Sequence, residues 1–229
     1  MNPVSSVPSG VATSSVETSK VVRNTYTLLS ITLLFSAATA GLSMAIQPPM
    51  FTGIICSLIA MGLIWFALPR TANSAAGLGV VFLITGLMGF GLGPILNHYL
   101  AMANGGMIVM NAMATTGITF LGLSAYVLTS KKDFSFMGGF LMAGMIAVIA
   151  LALISMIASW VFGMDMSMVS LAISGAVVLL MCGLILYETG NIVNGGETNY
   201  LMATIGLYLA IYNLFTALLH LIGAFSNDD

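Results

Sequence analysis

Charge is what this sequence has least of. Only five of its 229 residues are Lys or Arg and seven are Asp or Glu, while 59% are hydrophobic and the mean hydropathy is +1.08. A water-soluble domain carries about 25% charged residues, and twelve formal charges cannot coat a chain of 23.9 kDa. Lipid must therefore solvate most of this surface, which excludes a soluble enzyme. Five cations cannot form the basic stripe that a nucleic acid requires, so no nucleic-acid partner is expected. Cysteine is scarce too: Cys56 and Cys182 each lie inside an apolar run and read as small buried residues, not as a disulfide framework. His98 and His220 stand apart without metal-ligating neighbours, so neither a metal centre nor a cofactor is expected. Between the helix ends no Asp, Glu, Lys or Arg falls at mid-membrane depth, where coupled transporters place carboxylates or broken helices. That argues against active transport.

What the chain does have is long apolar runs. A spanning helix needs about 20 such residues, because the hydrocarbon core is about 30 Å thick and each residue rises about 1.5 Å. This ruler predicts seven spans: Thr25–Ile46, Phe51–Leu68, Ala75–Leu96, Met107–Leu128, Phe136–Phe162, Met168–Tyr187 and Tyr200–Phe225. Residues 1–24 are a polar mixture without the apolar core of a signal peptide and read as a flexible cytoplasmic tail. Residues 25–225 then form one transmembrane domain, and residues 226–229 a short C-terminal tail. Lys20 and Arg23 precede the first span, Arg70 follows the second, and Lys131 and Lys132 follow the fourth. All five cations fall on one side, which by the positive-inside rule is the cytoplasm. The expected protein is an all-α, seven-helix bundle with its N-terminus cytoplasmic and its C-terminus on the opposite face.

Packing signals lie within the spans. Gly89-x-x-x-Gly93, with Gly86 one turn earlier, has the spacing that lets helices approach closely, and Gly139 with Ala143 repeats it more weakly in the fifth span. Span four carries Asn111, Thr115, Thr116, Thr119 and Ser124; span seven carries Tyr208, Tyr212, Asn213 and Thr216. The span-seven set forms one polar stripe at i+3 and i+4 steps, which predicts that this helix turns it inward at the centre of the bundle. The stripe reads either as interhelical hydrogen bonding or as the lining of a conduction path. Glu188 lies near the cytoplasmic end of span six. If that helix continues to Val193, the carboxylate sits below the surface, where Arg70 is the reasonable partner; otherwise it is an interfacial residue facing water.

Several segments are similar to a known family. Leu186-Tyr187-Glu188-Thr189, then NGGETNY at residues 194–200 and GLYLAIYNLF at residues 206–215, resemble the C-terminal signature of the Bax inhibitor-1 family, most closely its bacterial YccA-like branch. VVRNTY at residues 21–26, GPILNHYL at residues 93–100 and the stretch Ser124–Gly144 extend the resemblance over nearly everything after residue 20. It implies a seven-helix fold whose last helix is wrapped by the other six, in a bacterial inner membrane. It also implies one of two non-enzymatic functions. YccA-like members are tied to the membrane AAA protease FtsH as substrates that jam it and so modulate its action on other membrane proteins. Other members are pH-sensitive calcium leaks, in which two aspartates on the last two helices form a sensor and an arginine near the end of the second helix acts as latch. In this sequence the first sensor position is Glu188, the second is Ala210 and the latch falls near Arg70. A lone carboxylate cannot share a proton with a second one, so a two-carboxylate switch is not inherited.

Overall fold

The computed structural model describes residues 9–226, with side chains from residue 17 onward. Among the described residues, seven helices are long and apolar enough to cross a membrane. They are α1 (Ser9–Ile46), α2 (Thr52–Thr71), α3 (Ala75–Leu100), α4 (Gly105–Ser130), α5 (Gly138–Phe162), α6 (Ser167–Val193) and α7 (Tyr200–Phe225). A single 3₁₀ turn, Ser135–Met137, leads into α5. No strand occurs among the described residues. The expected all-α, seven-span architecture is the observed one.

Two helices depart from the sequence expectation. Helix α1 starts at Ser9, inside the stretch expected as a flexible tail, and packs apolar side chains against the bundle from Val21, Val22 and Tyr26 onward. Residues 1–8 lie outside the described residues, as do residues 227–229 of the expected C-terminal tail. Helix α2 is interrupted by a π-turn, Leu63–Ala67, just before Pro69. The proline lacks an N–H and its ring crowds the carbonyl four residues back, and a wider turn relieves both problems.

Helix α7 is central, but four helices wrap it and not six. It packs against α6, α4, α1 and α3, while α2 leans on α3 and α5 on α6. The outer position of α5 shows in its burial: Leu141 is the one buried residue it contributes. Helices α1 and α3 approach closely at small residues. A methyl group added at Gly89 would run into the Ser36 carbonyl and the Thr39 hydroxyl, and one at Gly93 into Ser43. The predicted Gly89/Gly93 ridge is therefore where α3 meets α1. Gly91, on another face, meets Gly53 and Cys56 of α2. The predicted Gly139 contact is absent. Gly139 faces open space, and the glycines that admit neighbours in α5 are Gly138, against Tyr187, and Gly144, against Leu180. Spacing alone marked a small-residue helix face without marking which face had a neighbour.

Candidate functional site at the cation-bearing end

Interhelical loops meet at one end of the bundle. Asn199 caps α7 by accepting hydrogen bonds from the Leu201 and Met202 amides at 2.9 and 3.3 Å. Its amide nitrogen donates to the Ala72 carbonyl and to Asn73 Oδ1, both at 2.9 Å, so the α6–α7 connection is tied to the α2–α3 connection. Asn194 Nδ2 approaches the Lys132 carbonyl at 3.5 Å, which adds the α4–α5 connection. Lys20 and Arg23, Arg70, and Lys131 with Lys132 thus belong to the same end of the molecule. The opposite connections carry no Lys or Arg among the described residues.

Into this end projects the last stretch of α6. The helix does continue to Val193, which leaves Glu188 about 7 Å short of the helix terminus at 1.5 Å per residue. Successive helical residues point about 100° apart, and the three consecutive residues of the motif use this to reach three different directions. Tyr187 packs over Gly138 of α5, where an added methyl would lie 3.1 Å from the ring. Glu188 is half-buried and lies against Gly206 of α7, where an added methyl would come 2.9 Å from the carboxylate carbon. Thr189 is fully buried, with its hydroxyl 3.3 Å from Tyr26 Oη of α1 and 3.5 Å from Ser124 Oγ of α4. Four helices converge on one turn. Glu188 also lines a groove of about 290 Å³ between α5 and α6, with Gly138, Leu141, Met145, Leu184 and Tyr187.

Arg70 is not its partner. The guanidinium is exposed and folds back onto its own helix, donating to the Phe66 carbonyl at 2.9 Å. Among the described residues no ion pair joins it to Glu188. Both residues lie at one end of the bundle, but α2 occupies the outer layer beside α3, away from α6. Arg70→Ala should therefore change thermal stability by no more than about 0.5 kcal/mol, as at an ordinary surface site. Breaking a buried pair would cost about 3–5 kcal/mol. A thermal unfolding comparison in detergent separates these two values.

The span-seven stripe divides into two parts. Tyr208 makes the interhelical bonds: its hydroxyl lies 2.7 Å from Ser36 Oγ of α1 and donates to the Thr85 carbonyl of α3 at 3.3 Å. Its ring stacks on Tyr212, with centroids 6.2 Å apart. Asn213 and Thr216 satisfy themselves within α7, on Leu209 and on Tyr212 and Asn213 carbonyls. Further toward the other end, Ser174 of α6 meets His220 Nδ1 at 2.8 Å. That contact was missed. Its signal is a polar side chain at matching depth on each of two consecutive antiparallel spans, Ser174 and His220. No group of three or more His, Cys, Asp or Glu side chains able to hold a metal comes together among the described residues.

The chain matches the sequence profile of the family described as inhibitor of apoptosis-promoting Bax1 over residues 18–227. It belongs to the Bax inhibitor-1 family. Among its relatives, an uncharacterised membrane protein of Vibrio cholerae is 48% identical over 93% of this chain and 93% of its own length. The modulator of FtsH protease YccA of Escherichia coli K12 is 46% identical over 94% of this chain and 95% of its own. An uncharacterised protein of Pseudomonas aeruginosa is 45% identical over 93% of each chain. Seven apolar helices and this membership together make the chain a multi-pass Bax inhibitor-1 membrane protein. Ala210 is fully buried, one turn beyond Gly206 on the helix that Glu188 touches.

Proposed function

We propose that this protein is a non-enzymatic regulator in the bacterial inner membrane that modulates an FtsH-type AAA protease. The observation that carries the reading is its 46% identity, along nearly the full length of both chains, to a protein named as a modulator of that protease. The gathering of all five cations at the end that holds the start of α1 supports a cytoplasmic N-terminus, which is where a membrane AAA protease engages its substrates. In this reading the N-terminal residues are gripped and the bundle resists extraction. The Tyr208 and Thr189 contacts, which join α1 to α3, α4, α6 and α7, supply that resistance. Removing residues 2–16 leaves every described side chain in place, and Lys20 and Arg23 still set orientation. The shortened chain should insert normally and have a cellular half-life several-fold longer than the full chain in a pulse-chase experiment. An unchanged half-life would count against the reading.

A second reading, a passive calcium or cation leak, draws on one feature: Glu188 lines a groove and has no cationic partner among the described residues. A leak would appear as calcium flux into proteoliposomes holding the purified chain, with any pH dependence removed in Glu188→Gln. Arg70→Ala should not open it, since Arg70 latches nothing in this structure.

A further inference from the structure

At the cation-bearing end, a recess of about 350 Å³ lies between α1, α4 and α6. Its floor is apolar, made by Val22, Leu128 and Val193, and its rim is polar, made by Thr18, Ser19, Lys131 and Asn194. The volume is more than ten times the ~30 Å³ that a water molecule occupies in the liquid, enough for a phosphoglycerol group. We propose that this recess holds the headgroup of an anionic phospholipid, with Lys131 as the phosphate-binding cation.

Three observations converge on it. The first is the backbone of Lys131, which closes α4 in the left-handed region at φ 50°. Glycine is the residue usually found at such a helix end, because a side chain in the left-handed region crowds the backbone. A lysine held in that conformation at the lip of a recess brings a cation to a place where the backbone alone would favour glycine. The second is the arrangement of the opposing charges. Asp133 turns onto the Ser135 amide at 2.8 Å, and the Ser135 hydrogen bonds hold its carboxyl below the usual range; Glu197 accepts from the Asn199 amide at 2.7 Å. Glu17, exposed and next to Thr18, is the remaining nearby carboxylate, and Lys20 and Arg23 offset it on the same helix end. The third is depth. The recess opens at the ends of two spanning helices, where headgroups lie, and its lining combines apolar side chains with a lysine, as in basic interhelical pockets that bind acidic lipids. A free phosphate would gain nothing from Val22, Leu128 and Val193.

The test uses the purified full-length chain in detergent micelles, doped with phosphatidylglycerol, with phosphatidylethanolamine or with inorganic phosphate alone, and reads the thermal unfolding midpoint. Phosphatidylglycerol should raise the midpoint of the wild type, and the other two should leave it near the undoped value. Lys131→Gly should fold at least as well as the wild type, because it relieves the left-handed backbone, yet lose most of the phosphatidylglycerol increment. Lys132→Gln should keep it, since the Lys132 ammonium is directed to Tyr126 Oη at 2.9 Å, away from the rim. An equal rise with phosphatidylethanolamine, a rise with phosphate alone, or a full increment retained in Lys131→Gly would overturn the proposal.

Discussion

Gly89→Val should leave little folded protein. Helices α1 and α3 touch backbone to side chain at this point, and any added carbon meets the Ser36 carbonyl, the Thr39 hydroxyl and Ser36 Oγ at 2.6 Å. A carbonyl held in the α1 helix cannot rotate away as a flexible side chain would. The two helices must separate, and Ser36 then moves from Tyr208 as well. Overpacking usually costs about 1–3 kcal/mol, and a clash with helix backbone should reach or exceed the top of that range. Gly79, on the same helix, has open space around it, so Gly79→Val should stay within about 1 kcal/mol of wild type. Thermal unfolding of both variants, with yield of monodisperse protein as a second readout, checks the contrast.

Tyr208→Ala should be the most damaging truncation. Among the described residues Tyr208 is the largest fully buried side chain, and it lies where α1, α3 and α7 meet. In a membrane the hydrophobic term does not favour helix association, because lipid tails are as apolar as the core. The loss is then one of packing and of hydrogen bonds, without the transfer term that brings an aromatic-to-alanine change to about 3–5 kcal/mol in a water-soluble core, so about 2–3 kcal/mol is expected. Tyr208→Phe keeps the ring and removes only the hydroxyl, so it should cost about 1 kcal/mol, within the range of interhelical hydrogen bonds in membranes. A Phe variant as unstable as the Ala variant would mean that the hydroxyl, and not the ring, organises the centre of the bundle.

These two positions also show what could be read from the chain. Span number and type follow from length and apolarity, both one-dimensional properties, so all seven helices were legible. The Gly89/Gly93 ridge was legible because glycine at that spacing has few other uses in a spanning helix. Which face meets which neighbour is not written in spacing. Gly139 therefore looked like a contact and faces open space, while Gly138 and Gly144 do the packing. The same gap explains the Arg70–Glu188 expectation: topology puts both residues at one end, but rotation about the bundle axis separates α2 from α6. Polar residues behaved similarly. Tyr208 bridges helices, whereas Asn213 and Thr216 bond to their own helix, an option that sequence pattern does not distinguish. In the Tyr187-Glu188-Thr189 motif the charge is the conspicuous feature of the sequence. Its neutral neighbour Thr189 is the residue that links α6 to α1 and α4.

The central claim, modulation of an FtsH-type protease, is tested most directly by competition. The measurement is the half-life of a second, unrelated membrane substrate of that protease in cells producing this chain. The full chain should lengthen that half-life several-fold and should co-purify with the protease from the same membranes, while the chain lacking residues 2–16 should do neither. A substrate half-life unchanged by the full chain, at expression levels where it is inserted and folded, would contradict the account.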